Sequence, residues 1–174
     1  MSTSIMPDNI KGTLLSKIYS RALTEASFSK DPSTKVGAII FDSSGVIIST
    51  GYNGFARGVS DSISERYVRP EKYWWTCHAE FNAFMNSARV GSKVGGCFLF
   101  STLPPCLTCA NAAVQAGIKH VFTLLPEDFG FIERWAEHMA RVPILFKEGG
   151  VGYTFLAVQT GGLVVVDSVV AENT

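Results

Sequence analysis

The segment His78-Ala79-Glu80-Phe81-Asn82-Ala83-Phe84-Met85-Asn86-Ser87-Ala88-Arg89 anchors the reading of the architecture. Its apolar residues Phe81, Phe84, Met85 and Ala88 fall three and four positions apart, which predicts a helix over residues 78–89 with that stripe turned inward. Downstream the pattern alternates. Residues 97–101 form a short apolar run that reads as a strand, and residues 107–116 read as a helix closed by Gly117. Residues 120–124 are another strand, and residues 131–141 another helix. Upstream, Leu14, Leu15, Ile18, Ala22 and Ala26 recur at helical spacing within residues 11–28, and Lys30-Asp31-Pro32-Ser33 ends that helix in a turn. Residues 36–41 and 46–52 are β-rich runs on either side of Asp42-Ser43-Ser44-Gly45, the pattern of a hairpin. Residues 143–146 and two apolar runs near the C-terminus read as further strands, while residues 1–10 read as a loose arm. The order α-β-β-α-β-α-β-α-β predicts a three-layer α/β/α sandwich around a central mixed sheet of about five strands. One domain over residues 1–174 is expected, with residues from about 156 to 174 as a C-terminal extension. Residues 53–75 remain a long polar loop, and such loops inside compact domains more often serve a site than merely connect.

Composition narrows the function classes. Apolar residues make up 47% of the 174 positions and charged residues 17%, the balance of a folded chain with a sizeable core. Fifteen Lys and Arg offset fifteen Asp and Glu, so the broad basic face that nucleic-acid binding needs is not expected. The longest apolar runs are too short to span a bilayer and none resembles a signal peptide. A cytoplasmic protein, or one of the host cytoplasm if viral, with no membrane or nucleic-acid partner is the expectation. The four cysteines are Cys77, Cys97, Cys106 and Cys109. In a chain of this size they need not act as disulfide staples, and Cys106-Leu107-Thr108-Cys109 suits metal ligation or redox chemistry in a reducing compartment.

The chemistry-bearing residues are His78-Ala79-Glu80 and Pro104-Pro105-Cys106-Leu107-Thr108-Cys109. Two cysteines three apart at a helix start place both sulfurs on one side, where the helix dipole favours thiolates. His78, at the start of the other helix, can add a nitrogen. Three ligands leave the fourth tetrahedral position open, as catalytic zinc requires. Glu80 can then face a water whose pKa zinc lowers from near 15.7 to roughly 7, and can act as base and then as acid. The pattern His-x-Glu followed by Pro-Cys-x-x-Cys is the established signature of zinc nucleobase deaminases. A closed structural zinc site is the competing reading. It would need a fourth ligand from Cys97, Cys77 or His120, and would leave Glu80 without a role.

At these residues the sequence resembles the deoxycytidylate deaminase family of the cytidine deaminase-like superfamily. The likeness runs from about residue 29 to 122. It is carried by Asp31-Pro32-Ser33-Thr34-Lys35-Val36-Gly37-Ala38, Gly51-Tyr52-Asn53-Gly54, Cys77-His78-Ala79-Glu80, the Pro-Cys-x-x-Cys run and Gln115-Ala116-Gly117-Ile118-Lys119. The resemblance implies hydrolysis of dCMP to dUMP and ammonia, supplying thymidylate synthesis, with one catalytic Zn2+ per chain. It implies that Asn53 contacts the deoxyribose and that the backbone at Ala79 and Pro104 holds the pyrimidine edge. Asn53 has a plainer reading as a left-handed turn residue. Thr34, Lys35 and Arg57 are candidates for the phosphate, the alternative for the two cations being solvated surface charge. Tyr73, Trp74 and Trp75 could wall the pocket or a subunit contact, and Phe129 or Phe131 could stack on the base. The family further implies a homohexamer with dCTP and dTTP as effectors at the Tyr52-Asn53-Gly54 loop, Mg2+ accompanying a triphosphate effector. The ligands for a second, structural zinc found in many relatives are missing here, and residues beyond about 155 run past the usual family end. Related chemistry on dCTP or 5-modified dCMP, or a non-catalytic nucleotide-binding regulator, are the other readings.

Overall fold

The computed structural model describes residue 10, residues 12–160 and residues 162–169. Six strands form one mixed sheet, with β1 Gly37–Phe41, β2 Ile47–Tyr52, β5 Phe98–Ser101, β6 His120–Leu124, β7 Gly152–Gln159 and β8 Gly162–Val169 in the spatial order β2-β1-β5-β6-β7-β8. β5, β6 and β7 run parallel, while β1, β2 and β8 pair antiparallel with their neighbours. The two-stranded ribbon of β3 Gly54–Phe55 and β4 Thr76–Cys77 stands apart from this sheet. Six strands instead of about five follows from β8, which the C-terminal apolar run adds to the edge through antiparallel pairing with β7. The loose arm expected over residues 1–10 lies almost wholly outside the described residues, as does the end of the extension from residue 170.

Strand alternation sorts the core into two layers. Ala38, Ile40, Leu99, Val121 and Tyr153 face one side with the buried residues of α3 Ala79–Val90, α4 Leu107–Gln115 and α5 Phe129–Glu148. Ile39, Phe41, Phe98, Phe100 and Phe122 face the other, against Leu15, Ile18 and Ala22 of α1 Gly12–Ser27. That is the expected three-layer α/β/α sandwich. Two glycines set how closely the outer layers approach. A Cβ on Gly37 would stand 2.0 Å from the Ala22 carbonyl oxygen, and one on Gly51 2.3 Å from that of Ala79. Helix backbone therefore lies directly on β1 from one side and on β2 from the other. Among the described residues no helix is long and apolar enough to cross a membrane.

Three local expectations are corrected. The stripe Phe81, Met85 and Ala88 faces outward, while Ala79, Glu80, Ala83, Phe84 and Ser87 are buried. Where α3 is seated on Gly51 its contacts are Ala79 and Ala83, so the inward face is shifted from the apolar stripe and keeps only Phe84 of it. Residues 143–146 are not a strand: α5 continues through Pro143 to Glu148. An internal proline removes one helix hydrogen bond, but Val142 and Phe146 on either side of it are buried in the core. Tertiary burial outweighs the local break. Within residues 53–75, a 3-10 turn at Ser64–Tyr67 and the short α2 Lys72–Trp75 give the long loop ordered structure.

His120 opens β6, buried, with Nε2 2.8 Å from the Thr154 hydroxyl and its ring stacked on Phe122. Burial pushes its pKa down from 6.5 to about 4. Between those values the unfolded chain holds a proton the folded chain lacks, so stability is complete above pH 6.5 and falls as pH drops toward 4. The contribution amounts to roughly 3 kcal/mol. Urea unfolding of parent and His120→Gln between pH 7.5 and 4.5 checks this. The parent is expected to lose more stability over that range than the variant, and parallel curves would refute the assignment.

Candidate active site

Two helix starts converge beyond the C-terminal end of β5. His78 is the N-cap of α3 in extended conformation, so the chain turns sharply there and Glu80 enters the first helical turn. Cys106 is the N-cap of α4 and its sulfur accepts the backbone N–H of Cys109 at 3.5 Å. The Cys-x-x-Cys spacing thus caps the helix and brings both sulfurs to one place, where both helix dipoles point their positive ends. Cys109 Sγ lies 3.7 Å from His78 Nδ1, and the ligand atoms of His78, Cys106 and Cys109 all fall within 4.8 Å of one another. A tetrahedral zinc, with Zn–S about 2.3 Å and Zn–N about 2.0 Å, needs donor atoms roughly 3.5–3.8 Å apart. The donor set and its spacing fit that ion. Among the described residues this is the one group of three or more His, Cys, Asp or Glu side chains that converges so. Cys77, Cys97 and His120 do not join it, which leaves the closed structural reading without a fourth ligand.

The two thiols share one proton unequally. A hydrogen bond from Cys109 and the neighbouring His78 draw the Cys106 thiol down to about 3, while the Cys109 thiol is pushed up by holding the shared proton and by burial. Glu80 is buried, and Ser101 Oγ donates to its Oε1 at 3.3 Å. Burial raises its pKa, against the opposing influence of His78. Such a carboxyl is readily protonated, as a proton carrier must be.

Glu80, His78 and Cys106 line one cavity with Thr34, Asn53, Ala79 and Pro104. Asn53 is buried, and no non-glycine residue described has positive φ, so the left-handed turn role is overturned. Its amide works as a strut: Oδ1 accepts the Val36 N–H at 2.7 Å and Nδ2 donates to the Thr34 carbonyl at 2.9 Å. Asp31, buried, accepts the backbone N–H groups of Ser33 and Thr34 and pairs with Lys72 at 2.6 Å. Lys72 also donates to Ser33 at 2.8 Å. Tyr52 is exposed with its ring tilted against that of Phe28, while Gly54 pairs with Cys77 in the ribbon.

The cations at the cavity differ from the expected ones. Lys35 is exposed and absent from the lining, and Arg57 is exposed and donates to Asn86 at 3.3 Å. Arg69, Lys72 and Arg134 line it instead. Arg69 and Lys72 lie in the long segment of residues 53–75, but nothing local in the sequence singles out Arg134. The first two turns of α5 bring Phe131, Arg134 and Trp135 to the cavity. Trp135 meets His78 edge-on at 5.7 Å and Tyr73 at 6.3 Å. Phe129 is 86% exposed and Trp74 82% exposed, so neither contributes. Trp75 donates to Glu71 and lies under Arg66. His138, unforeseen from sequence, accepts the Leu107 N–H at 3.0 Å and so pins the start of α4.

Comparison with known proteins agrees with this geometry. The model of the cytidine and deoxycytidylate deaminase zinc-binding region matches residues 13–125. An uncharacterized deaminase of Aliivibrio fischeri is 38% identical over 141 residues, covering 80% of this chain and 91% of that protein. Deoxycytidylate deaminase of Mus musculus is 36% identical over 137 residues, 76% of this chain and 73% of that one. A crystal structure of dCMP deaminase from the cyanophage S-TIM5, in complex with dCMP and dUMP, superposes with a TM-score of 0.67 at 25% identity, covering 84% of this chain and 98% of that chain. With the family model spanning more than half of its length and the motif residues gathered at one cavity, the chain belongs to the cytidine and deoxycytidylate deaminase family.

Proposed function

We propose that this chain hydrolyses dCMP to dUMP and ammonia, with His78, Cys106 and Cys109 holding one zinc ion and Glu80 carrying the proton. The observation that supports this best is the position of Glu80, a buried carboxylate in the wall of the same cavity as the converged donors. When bound, zinc supplies a Lewis acid that brings the pKa of water from 15.7 to about 7. Glu80 takes one proton of the water and delivers it to the ring nitrogen, then takes the second from the added hydroxyl and delivers it to the departing amino group, as established for zinc deaminases as a class. Ser101 holds one carboxylate oxygen, so the other is left for the transfer. The backbone at Ala79 and Pro104 borders the pyrimidine edge. Asn53 keeps a second lone pair on Oδ1 for a sugar hydroxyl.

For the phosphate, Arg69 and Arg134, which line the cavity with Thr34, suit the charge better than Lys35 and Arg57, which do not line it. The same reading includes supply of dUMP to thymidylate synthesis, a cytoplasmic location, a homohexamer, and dCTP with Mg2+ or dTTP as effectors at the Tyr52-Asn53-Gly54 loop. Light scattering tests the hexamer, and assays with each triphosphate test the effectors. The direct experiment measures ammonia release by zinc-loaded protein on dCMP, dCTP, 5-methyl-dCMP and deoxycytidine. dCMP is expected to be turned over best, and Arg134→Ala is expected to raise its KM about tenfold or more without changing the deoxycytidine rate. Equal turnover of nucleoside and nucleotide by the parent would refute the phosphate subsite.

A further inference from the structure

Among the described residues, Thr76 Oγ1 is the one buried side-chain oxygen or nitrogen without a hydrogen-bond partner. Buried polar groups are nearly always paired, and an orphan hydroxyl lowers stability relative to a methyl group in the same place. Valine has almost the shape of threonine and would fill the position without that penalty. Thr76 is also not in a neutral part of the fold. It lines the cavity that contains Glu80, and also the adjoining cavity bordered by all three metal donors. Its backbone is fixed by pairing with Phe55 in the β3–β4 ribbon, two residues before His78. The residue as a whole is half-buried, and a change of staggered χ1 well on binding would turn its hydroxyl toward the cavity without moving the chain.

We infer that the Thr76 hydroxyl is a contact for the bound nucleotide, left unpaired in the protein alone and satisfied by a polar atom of the substrate. This rests on the nucleotide deaminase reading above. It makes Thr76 a specificity-determining residue whose hydroxyl is retained against stability, so stability and activity should move in different directions when it is removed.

The test compares Thr76→Val and Thr76→Ser with the parent, by thermal unfolding, kcat/KM on dCMP, and calorimetric binding of dUMP to zinc-loaded protein. Thr76→Val is expected to unfold at the same temperature as the parent or higher, while kcat/KM and dUMP affinity each fall about tenfold. Thr76→Ser, which keeps the hydroxyl, is expected to stay within about threefold of the parent in both. Unchanged dUMP affinity in Thr76→Val overturns the inference, as does an equal loss in Thr76→Ser. So does a loss of affinity that only accompanies a lower unfolding temperature. A parent that binds dUMP but does not deaminate dCMP would overturn the proposed reaction and leave the Thr76 contact to be decided by the binding measurement.

Discussion

Glu80→Gln is expected to bind zinc as the parent does and to deaminate dCMP about 10²- to 10⁴-fold more slowly. Glutamine has the size of glutamate and can still accept the Ser101 hydrogen bond, so packing in this buried position is preserved. What disappears is the ability to take up a proton and give it back. The raised pKa of Glu80 comes chiefly from burial, and the amide carries no charge to desolvate, so the variant should be at least as stable as the parent. Zinc content by elemental analysis, thermal unfolding and single-turnover assays separate these points. A variant that retains zinc and deaminates at the parent rate would remove the proton-carrier role. A variant that loses zinc would instead place Glu80 among the groups needed for metal binding.

Lys72→Met should be the most destabilising single change near the site, by about 3–5 kcal/mol. Both members of the Lys72–Asp31 pair are almost wholly shielded from solvent, with side chains 8% and 2% exposed. Removing the lysine leaves a buried carboxylate whose remaining donors are Ser33 and Thr34 of the loop it supports and, at 3.5 Å, the Asn53 amide. That loop carries Thr34 and, through the Thr34 carbonyl, is tied to Asn53. The damage should therefore reach the cavity and raise KM as well as lower stability. Burial alone would raise the Asp31 pKa, but the bond from Lys72 and the backbone N–H groups of Ser33 and Thr34 outweigh it and hold the carboxyl below 3.8. Its contribution is therefore present above about pH 4 and lost as pH falls through the lower folded-state value. Chemical unfolding should show that the double variant Asp31→Asn, Lys72→Met recovers part of the loss, because no charge is then stranded. A Lys72→Met protein as stable as the parent at pH 7 would show that the pair contributes nothing.

Some of this was legible in the chain itself. The residues proposed to hold zinc and carry the proton are close neighbours in sequence: Glu80 two after His78, Cys109 three after Cys106. A helix start converts such spacing directly into geometry, so local conformation alone fixes each half of the site. The order of helices and strands followed likewise from periodicity, and His120 to Leu124 is a strand with the bounds expected. Packing between distant segments decided the rest. Whether Phe81 or Ala83 faced inward depended on Gly51, some thirty positions away, allowing α3 to lie on the sheet. α5 crossed Pro143 because burial of Val142 and Phe146 outweighed one lost helix bond. Arg57 and Lys35 looked suitable because they adjoin the motifs, yet the cations brought to the cavity are Arg69, Lys72 and Arg134. The sequence by itself determined the fold class and the two short motifs that bring His78, Glu80, Cys106 and Cys109 together, since these are encoded over a few residues of backbone. Only the tertiary structure decided which charges, aromatic rings and unpaired hydroxyl surround them, since those groups meet through contacts between segments that no local pattern records.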